Sequence, residues 1–278
     1  QGPVRQSHHG GRRGALREPA TCGAAATADR LETYVSVQRG RNRTEPTTVN
    51  AEYAQRYREL YCSHWWWRAR EALILATLRR YLPGRREAPV LDVGCGDALF
   101  LPALEEFGTP EGVEIDRAIV DPAGPYAGRI HVGPFDAGFR PDRRYALITM
   151  LDVLEHLDQP EESLRHAMSL LADDGLILIT VPAFRALWTS HDDLNHHHTR
   201  YTKRTFLRVA QACGLEILEA GYFFHWTYPV KLLIRFKECL VSSPPRPVRI
   251  PAAFVNRLCL ALSRWEQLVL GRVPVPFG

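Results

Sequence analysis

The 278 residues are 45% hydrophobic with a net charge of +4, which suits one α/β domain of ordinary size with extensions. Arginines crowd the first 45 residues, so the rest of the chain demands no basic nucleic-acid face. Cys22, Cys62, Cys95, Cys213, Cys239 and Cys259 form no C-x-x-C pair, and the N-terminus has no secretory signal, nor the chain any apolar run of about 18 residues; a reduced, cytoplasmic protein that neither leaves the cell nor spans a membrane is expected.

Residues 1–48, rich in Gly, Ala, Arg and Thr, have little apolar periodicity and are predicted to be a disordered, solvated tail. The chain begins at Gln1, which leaves a trimmed or upstream-extended start open. Residues 49–84 form a helical segment, interrupted once and stopped at Leu82-Pro83-Gly84. Residues 85–221 are the predicted core. Strands at 90–93, 112–115, 130–132, 145–151 and 176–181 alternate with helices at 100–107 and 160–171, a Rossmann-like, doubly wound, mostly parallel α/β sheet. Pro122, Gly124 and Pro125 shorten the helix after the second strand, and a helix at 203–213 and a strand at 215–220 follow. Residues 222–278 read as a C-terminal helical insertion or lid. An aromatic stretch leads into a basic apolar helix ending near Val241, and a last helix spans about 252–270. The chain stops at Gly278, about where a final strand would begin, so either the sheet has no seventh strand or the chain is truncated.

Val90-Leu91-Asp92-Val93-Gly94-Cys95-Gly96-Asp97-Ala98 is the most informative stretch. An apolar strand ends in an acid and two glycines, which let the backbone turn sharply and approach a ligand closely. About twenty residues on, Gly112-Val113-Glu114-Ile115-Asp116 ends a second strand in acids, placing Glu114 to hold a ribose diol.

On these residues, with Leu154-Glu155-His156 after the fourth strand and the glycine turn into 176–181, the chain resembles the class I S-adenosylmethionine-dependent methyltransferases over roughly residues 63–222. The resemblance implies S-adenosyl-L-methionine as cofactor and methyl transfer to a small-molecule or lipid-linked acceptor. It implies that Asp92, Gly94 and Gly96 line the methionine and ribose side, that Glu114 takes the ribose hydroxyls and that Asp136 lies near the adenine. Cys95, Ile115 and Leu151 flank this cofactor set. Ala98 stands where many relatives carry a third glycine.

In-line methyl transfer needs a base only for a protonated acceptor, and histidine is the natural candidate. His156 lies at the carboxyl edge of the sheet, and with Glu155 it either serves chemistry or caps the next helix. Asp152, Glu155 and His156 have ligand chemistry, and some quinone-biosynthesis relatives use a divalent ion there; nothing fixes a geometry, and no metal is assigned. Residues 188–201 resemble the group's W-S-x-H-D…H-x-R-R-Y-T signature through His191, Asp192, His197, Arg200 and Tyr201, with Thr199 in place of the first arginine. An acceptor-binding or proton-shuttling lid is expected from His191, His197, Arg200 and Tyr201, with a structural network as the alternative. His64-Trp65-Trp66-Trp67-Arg68-Ala69-Arg70 resembles the group's H-W-W-F-x-x-R segment, so Trp66 and Arg70 are expected to cover the cofactor's sulfonium, and Trp65 to pack in the core. Lys231, Arg235 and Lys237 among apolar residues suit either a packed lid or peripheral contact with the inner membrane face. No nucleic acid is expected as partner. The alternatives are a noncatalytic S-adenosylmethionine-binding module and, with less support, a nucleic-acid methyltransferase.

Overall fold

The computed structural model describes residues 48–83, 87–241 and 248–270, with side chains from Arg56 onward. The expected tail therefore lies outside the described residues except for Thr48. Two helices open the fold, α1 (Thr48–Ser63) and α2 (Trp65–Tyr81). His64 divides them, its ring accepting from Trp66 N as a helix cap at 3.1 Å.

Five strands follow: β1 (Pro89–Val93), β2 (Thr109–Glu114), β3 (Ile130–Val132), β4 (Tyr145–Leu151) and β5 (Leu171–Thr180). They form one parallel sheet in the order β3-β2-β1-β4-β5. The order reverses between β1 and β4, and ligands of open α/β sheets bind at the carboxyl ends of the strands there. Apolar residues cover both sheet faces, as buried parallel strands require. Leu91, Ile148 and Met150 pack under α4 (Pro160–Leu170) and α6 (Lys203–Ala212), while Val90 and Leu147 pack with Ile74 and Leu78 of α2 and Leu104 of α3 (Leu101–Leu104).

Several expectations differ from the structure. The helix expected at 100–107 is shortened to Leu101–Leu104, and the strand expected at 176–181 runs from Leu171 to Thr180. Residues 115–126 form turns and no helix, consistent with the prolines and glycine there. Residues 215–220 form no strand, because alternation alone makes no ladder without a partner. Glu219 is held instead by α2, through Arg80 at 2.9 Å and Tyr81 Oη at 2.9 Å. A short helix, α5 (Ser190–Leu194), was not expected, though Thr189 and Asp192 form the capping box that starts it. Two helices end the described chain, α7 (Thr227–Leu240) and α8 (Ala253–Leu270). No described helix is long and apolar enough to cross a membrane.

Candidate active site

The loop leaving β1 turns on Gly94 at φ +72° and Gly96 at φ +55°. A Cβ on Gly94 would lie 2.8 Å from Val153 Cγ2, so the missing side chain lets this loop touch the loop after β4. Gly96 faces open space, with nothing nearer than 4.0 Å to a Cβ built there, and a ligand can reach its backbone. Glu114, buried at the end of β2, accepts from Gly96 N and Asp116 N, each at 2.9 Å. One bond per carboxylate oxygen leaves a further lone pair on each for a diol. Asp92 is 3% exposed and accepts from Thr149 Oγ1 at 2.6 Å. Burial pushes its carboxyl up to about 7 despite that hydrogen bond, so a nearby cation would strongly favour its ionised form.

A cavity of about 60 Å³ lies beside Asp92, Gly94, Cys95 and Leu151, roofed by Tyr57, Tyr61, Trp67 and Arg70. Such a volume holds about two waters, whereas small-ligand pockets start near about 300 Å³. The donor set fits a nucleoside carrying a cationic group, and the α1–α2 roof must shift to admit it. Arg58 fastens that roof to the loop after β1, pairing with Asp97 and, at 2.9 Å, with Asp121.

A second cluster follows β4 and β5. Asp152, Phe184 and His196 there hold left-handed backbone at φ +57°, +58° and +53°, strain of the kind concentrated at functional sites. Arg70 ties the strand ends together, with Asp152 at 2.7 Å and Thr180 Oγ1 at 2.8 Å. Glu155 is wholly buried and neither carboxylate oxygen has a hydrogen-bond partner. Burial, with Asp152 nearby, pushes its carboxyl well above the usual range. His156 is exposed, its ring edge-on to His197 with centroids 4.8 Å apart. Partial desolvation and then the neighbouring His197 lower its pKa.

Asp192, at 0% exposure, accepts from His197 Nδ1 at 2.8 Å, from Arg200 Nε at 2.7 Å and Nη2 at 3.0 Å, and from Thr189 N at 2.9 Å. Burial opposes its ionisation, but these donors hold it below the usual carboxylate range. With Nδ1 facing a carboxylate that only accepts, neutral His197 carries its proton there and its lone pair on Nε2. Glu155, His156 and His197 each bring one ligand atom to within 4.8 Å of the others, so this is where a metal ion would fit among the described residues.

The expected cofactor residues separate into two groups. Asp92, Gly94, Cys95, Leu151 and Arg70 line the cavity, and Gly96 and Glu114 adjoin it through their mutual hydrogen bond. Ile115 is 64% exposed and lies outside the lining. Asp136 is also exposed, its carboxylate accepting from Gly138 N at 2.7 Å. Trp66 packs on Trp67, Phe224 and the Arg70 guanidinium, and Trp67 meets the cavity in its place. Tyr57 and Tyr61 were missed, although a spacing of four puts both on one helix face.

Two of the five expected acceptor residues need correcting. Arg200 directs its Nε and Nη2 at Asp192 and its Nη1 at the Ala183 carbonyl, 2.9 Å away, and with a side chain only 8% exposed it serves first to hold Asp192. Tyr201 is buried in the core and its hydroxyl donates to the Leu154 carbonyl at 3.4 Å, steadying the turn that carries Glu155. His156 and His197 lie together at the site edge, His191 is exposed in the field of Asp192 and His197, and Asp152 faces Arg70 and Thr180 rather than the metal-sized grouping.

A parallel sheet whose strand order reverses between β1 and β4, with a glycine turn and acids at adjacent strand ends, has the layout of a nucleotide-binding α/β fold. Residues 66–220 match the family model of a methyltransferase domain. The chain belongs to this methyltransferase family, and S-adenosylmethionine is its cofactor. Among curated relatives, the ubiquinone biosynthesis O-methyltransferase of Coxiella burnetii is 26% identical over 98 residues, 33% of this chain. The match spans 42% of that relative, so the chain covers less than half the length of the curated proteins it resembles. A crystal structure of a SAM-dependent methyltransferase from Archaeoglobus fulgidus superposes with a TM-score of 0.50 at 19% identity, covering 77% of this chain and 93% of that one. At that identity the likeness concerns the fold.

Proposed function

We propose that the chain transfers a methyl group from S-adenosylmethionine to a hydroxyl of a small-molecule or lipid-linked acceptor, with His197 as the base. The Asp192–His197 contact carries this reading, because a buried carboxylate fixes the imidazole with Nε2 free beside the carboxyl edge of the sheet. When bound, the cofactor supplies an electrophilic methyl group on a sulfonium. Asp92 would meet its positive charge, Gly94 and Gly96 would admit backbone contacts to it, and Glu114 would take the ribose diol. His197 Nε2 receives the acceptor proton, and Arg200 and Thr189 hold Asp192 in place. Arg70 and the α1–α2 roof exclude water, as an in-line displacement at a dry centre needs.

The likeness to an O-methyltransferase of ubiquinone biosynthesis supports a hydroxyl on an apolar molecule, and the C-terminal helices support peripheral membrane contact. The test is product formation. Purified protein and the cofactor are added to a bacterial extract, and mass spectrometry searches for a species gaining one methyl group. His197→Gln should remove that product while S-adenosylhomocysteine still binds by calorimetry. Full turnover in His197→Gln rules out the base assignment.

The unpartnered Glu155 carboxylate favours a second reading, in which a divalent ion on Glu155, His156 and His197 orients the acceptor oxygen. Loss of turnover on chelation, restored by added ion, would support it. Turnover indifferent to chelator leaves His197 as a metal-free base.

A further inference from the structure

Both C-terminal helices are built inside out. In α8, Asn256, Ser263, Glu266 and Gln267 face the body. Asn256 bonds Trp65 N at 2.9 Å and Ser63 O at 2.8 Å, Gln267 bonds Ala69 O at 3.0 Å, and Ser263 accepts from Trp226 Nε1 at 3.1 Å. Glu266 is 4% exposed and accepts from His225 N at 3.0 Å and Trp226 N at 2.9 Å. The opposite stripe, Phe254, Leu258, Leu262, Trp265 and Val269 at helical spacing, stands in solvent at 36–72% exposure. In α7, Lys231, Arg235 and Glu238 are half-buried, and Glu238 accepts from Ser190 N at 3.2 Å and Oγ at 3.1 Å. Lys231 lies in the field of Asp192 and Arg200. Leu233, Phe236 and Leu240 are 64–69% exposed on its outer side.

A helix facing water on one side ordinarily shows the reverse pattern, and apolar surface of this extent marks a binding face. The charges identify the occupant. Each helix has one acid, Glu238 in α7 and Glu266 in α8, and both are turned inward onto hydrogen-bond donors. The exposed charged side chains of α7 and α8 are Lys237, Arg257 and Arg264, all cations. An apolar stripe edged only by positive charge complements an anionic lipid surface, where an interfacial helix sinks its apolar face to the acyl boundary. A self-complementary face between two copies would bring these cations together.

We infer that α7 and α8 dock on an anionic bilayer and that α7 is the lid between that bilayer and the acceptor site, so that the acceptor is an amphiphile methylated at its head group while its apolar part stays in the membrane. The link to the site is direct. Ser190, held by Glu238, adjoins His191 and Asp192, so the outer face of α7 meets lipid while its inner row borders the residues that position His197. The inference rests on the lipid-linked arm of the proposed function.

The 278-residue chain is sedimented with vesicles of phosphatidylcholine and phosphatidylglycerol in equal parts, and with vesicles of phosphatidylcholine alone. The double variant Leu233→Glu with Phe236→Glu is compared with the parent. Calorimetry with S-adenosylhomocysteine and light scattering are run on both. Binding to the anionic vesicles, weaker by about tenfold or more in the variant because two exposed anchors are lost, supports the inference. Sedimentation with neither vesicle overturns it. So does a dimer in the parent that the variant abolishes, since the apolar face then belongs to a second copy. Failure to bind S-adenosylhomocysteine would defeat the functional reading and leave the vesicle result standing by itself.

Discussion

α6 and α8 are both two-sided helices, one row apolar and one polar, and do opposite things with the two rows. In α6, Phe206, Val209 and Ala210 turn toward the sheet while Lys203, Arg204 and Gln211 face water. In α8 the polar row makes the contacts and the apolar row is bare. The sheet is thus held by area removed from water, whereas the C-terminal pair is held by hydrogen bonds whose worth depends on every partner being present. One region should tolerate polar surface changes, and the other should weaken where a single carboxylate is lost.

Substitutions should separate the two regimes in order of size. Leu164→Ala, at a wholly buried position under the sheet, should lower stability by about 3 kcal/mol through lost contact and a cavity, read as a reduced urea midpoint. Glu266→Leu keeps bulk but strands the His225 and Trp226 amides. It should cost about 2 kcal/mol, confined to the C-terminal pair, so that hydrogen exchange accelerates in α7 and α8 and not in β1 or β4. Uniform acceleration across the sheet would show that the two regions are one cooperative unit.

Asp92 is the core's own inward-facing acid, and it should respond to pH. Its carboxyl is raised to about 7 by burial, so ionising it costs free energy between the unfolded carboxylate range and about pH 7. A bound cation favours the ionised form. Affinity for S-adenosylmethionine should therefore rise with pH, by about tenfold between pH 6 and pH 8, and the rise should vanish in Asp92→Asn. A flat profile in the parent removes Asp92 from the cofactor site.

Smaller effects complete the series. Ala98 holds φ +57°, where a Cβ is strained, and Ala98→Gly should stabilise by up to about 1 kcal/mol. Leu268→Gln, at a side chain 86% exposed on α8, should change stability by less than about 0.5 kcal/mol. A loss comparable to that of Leu164→Ala would mean that the outer face of α8 is covered in solution.

Local chemistry was enough to read the strands at β1, β3 and β4, both N-terminal helices, the glycine turn and the acids after it, because period, punctuation and loop glycines are properties of neighbouring residues. The same holds for α7 and α8 as helices. Which way those helices turn was not legible, since an amphipathic pattern is identical whichever row meets the body. The failed strand at 215–220 has the same origin: Glu219 found Arg80, more than a hundred positions away, and no sheet edge. At the site, the signature residues around Asp192 were visible as a group. Only the folded chain showed that Arg200 turns its guanidinium inward onto Asp192 and Ala183, that Tyr201 turns into the core, and that Glu155, one residue before the expected His156, is buried with nothing to bond. The sequence by itself determined the class of fold and the glycine turn with its neighbouring acids, because both follow from local periodicity and a short turn. The roof over the cavity, the partner of each charged group and the outward apolar face were decided by tertiary structure, because each depends on what long-range packing brings within hydrogen-bond distance or leaves in water.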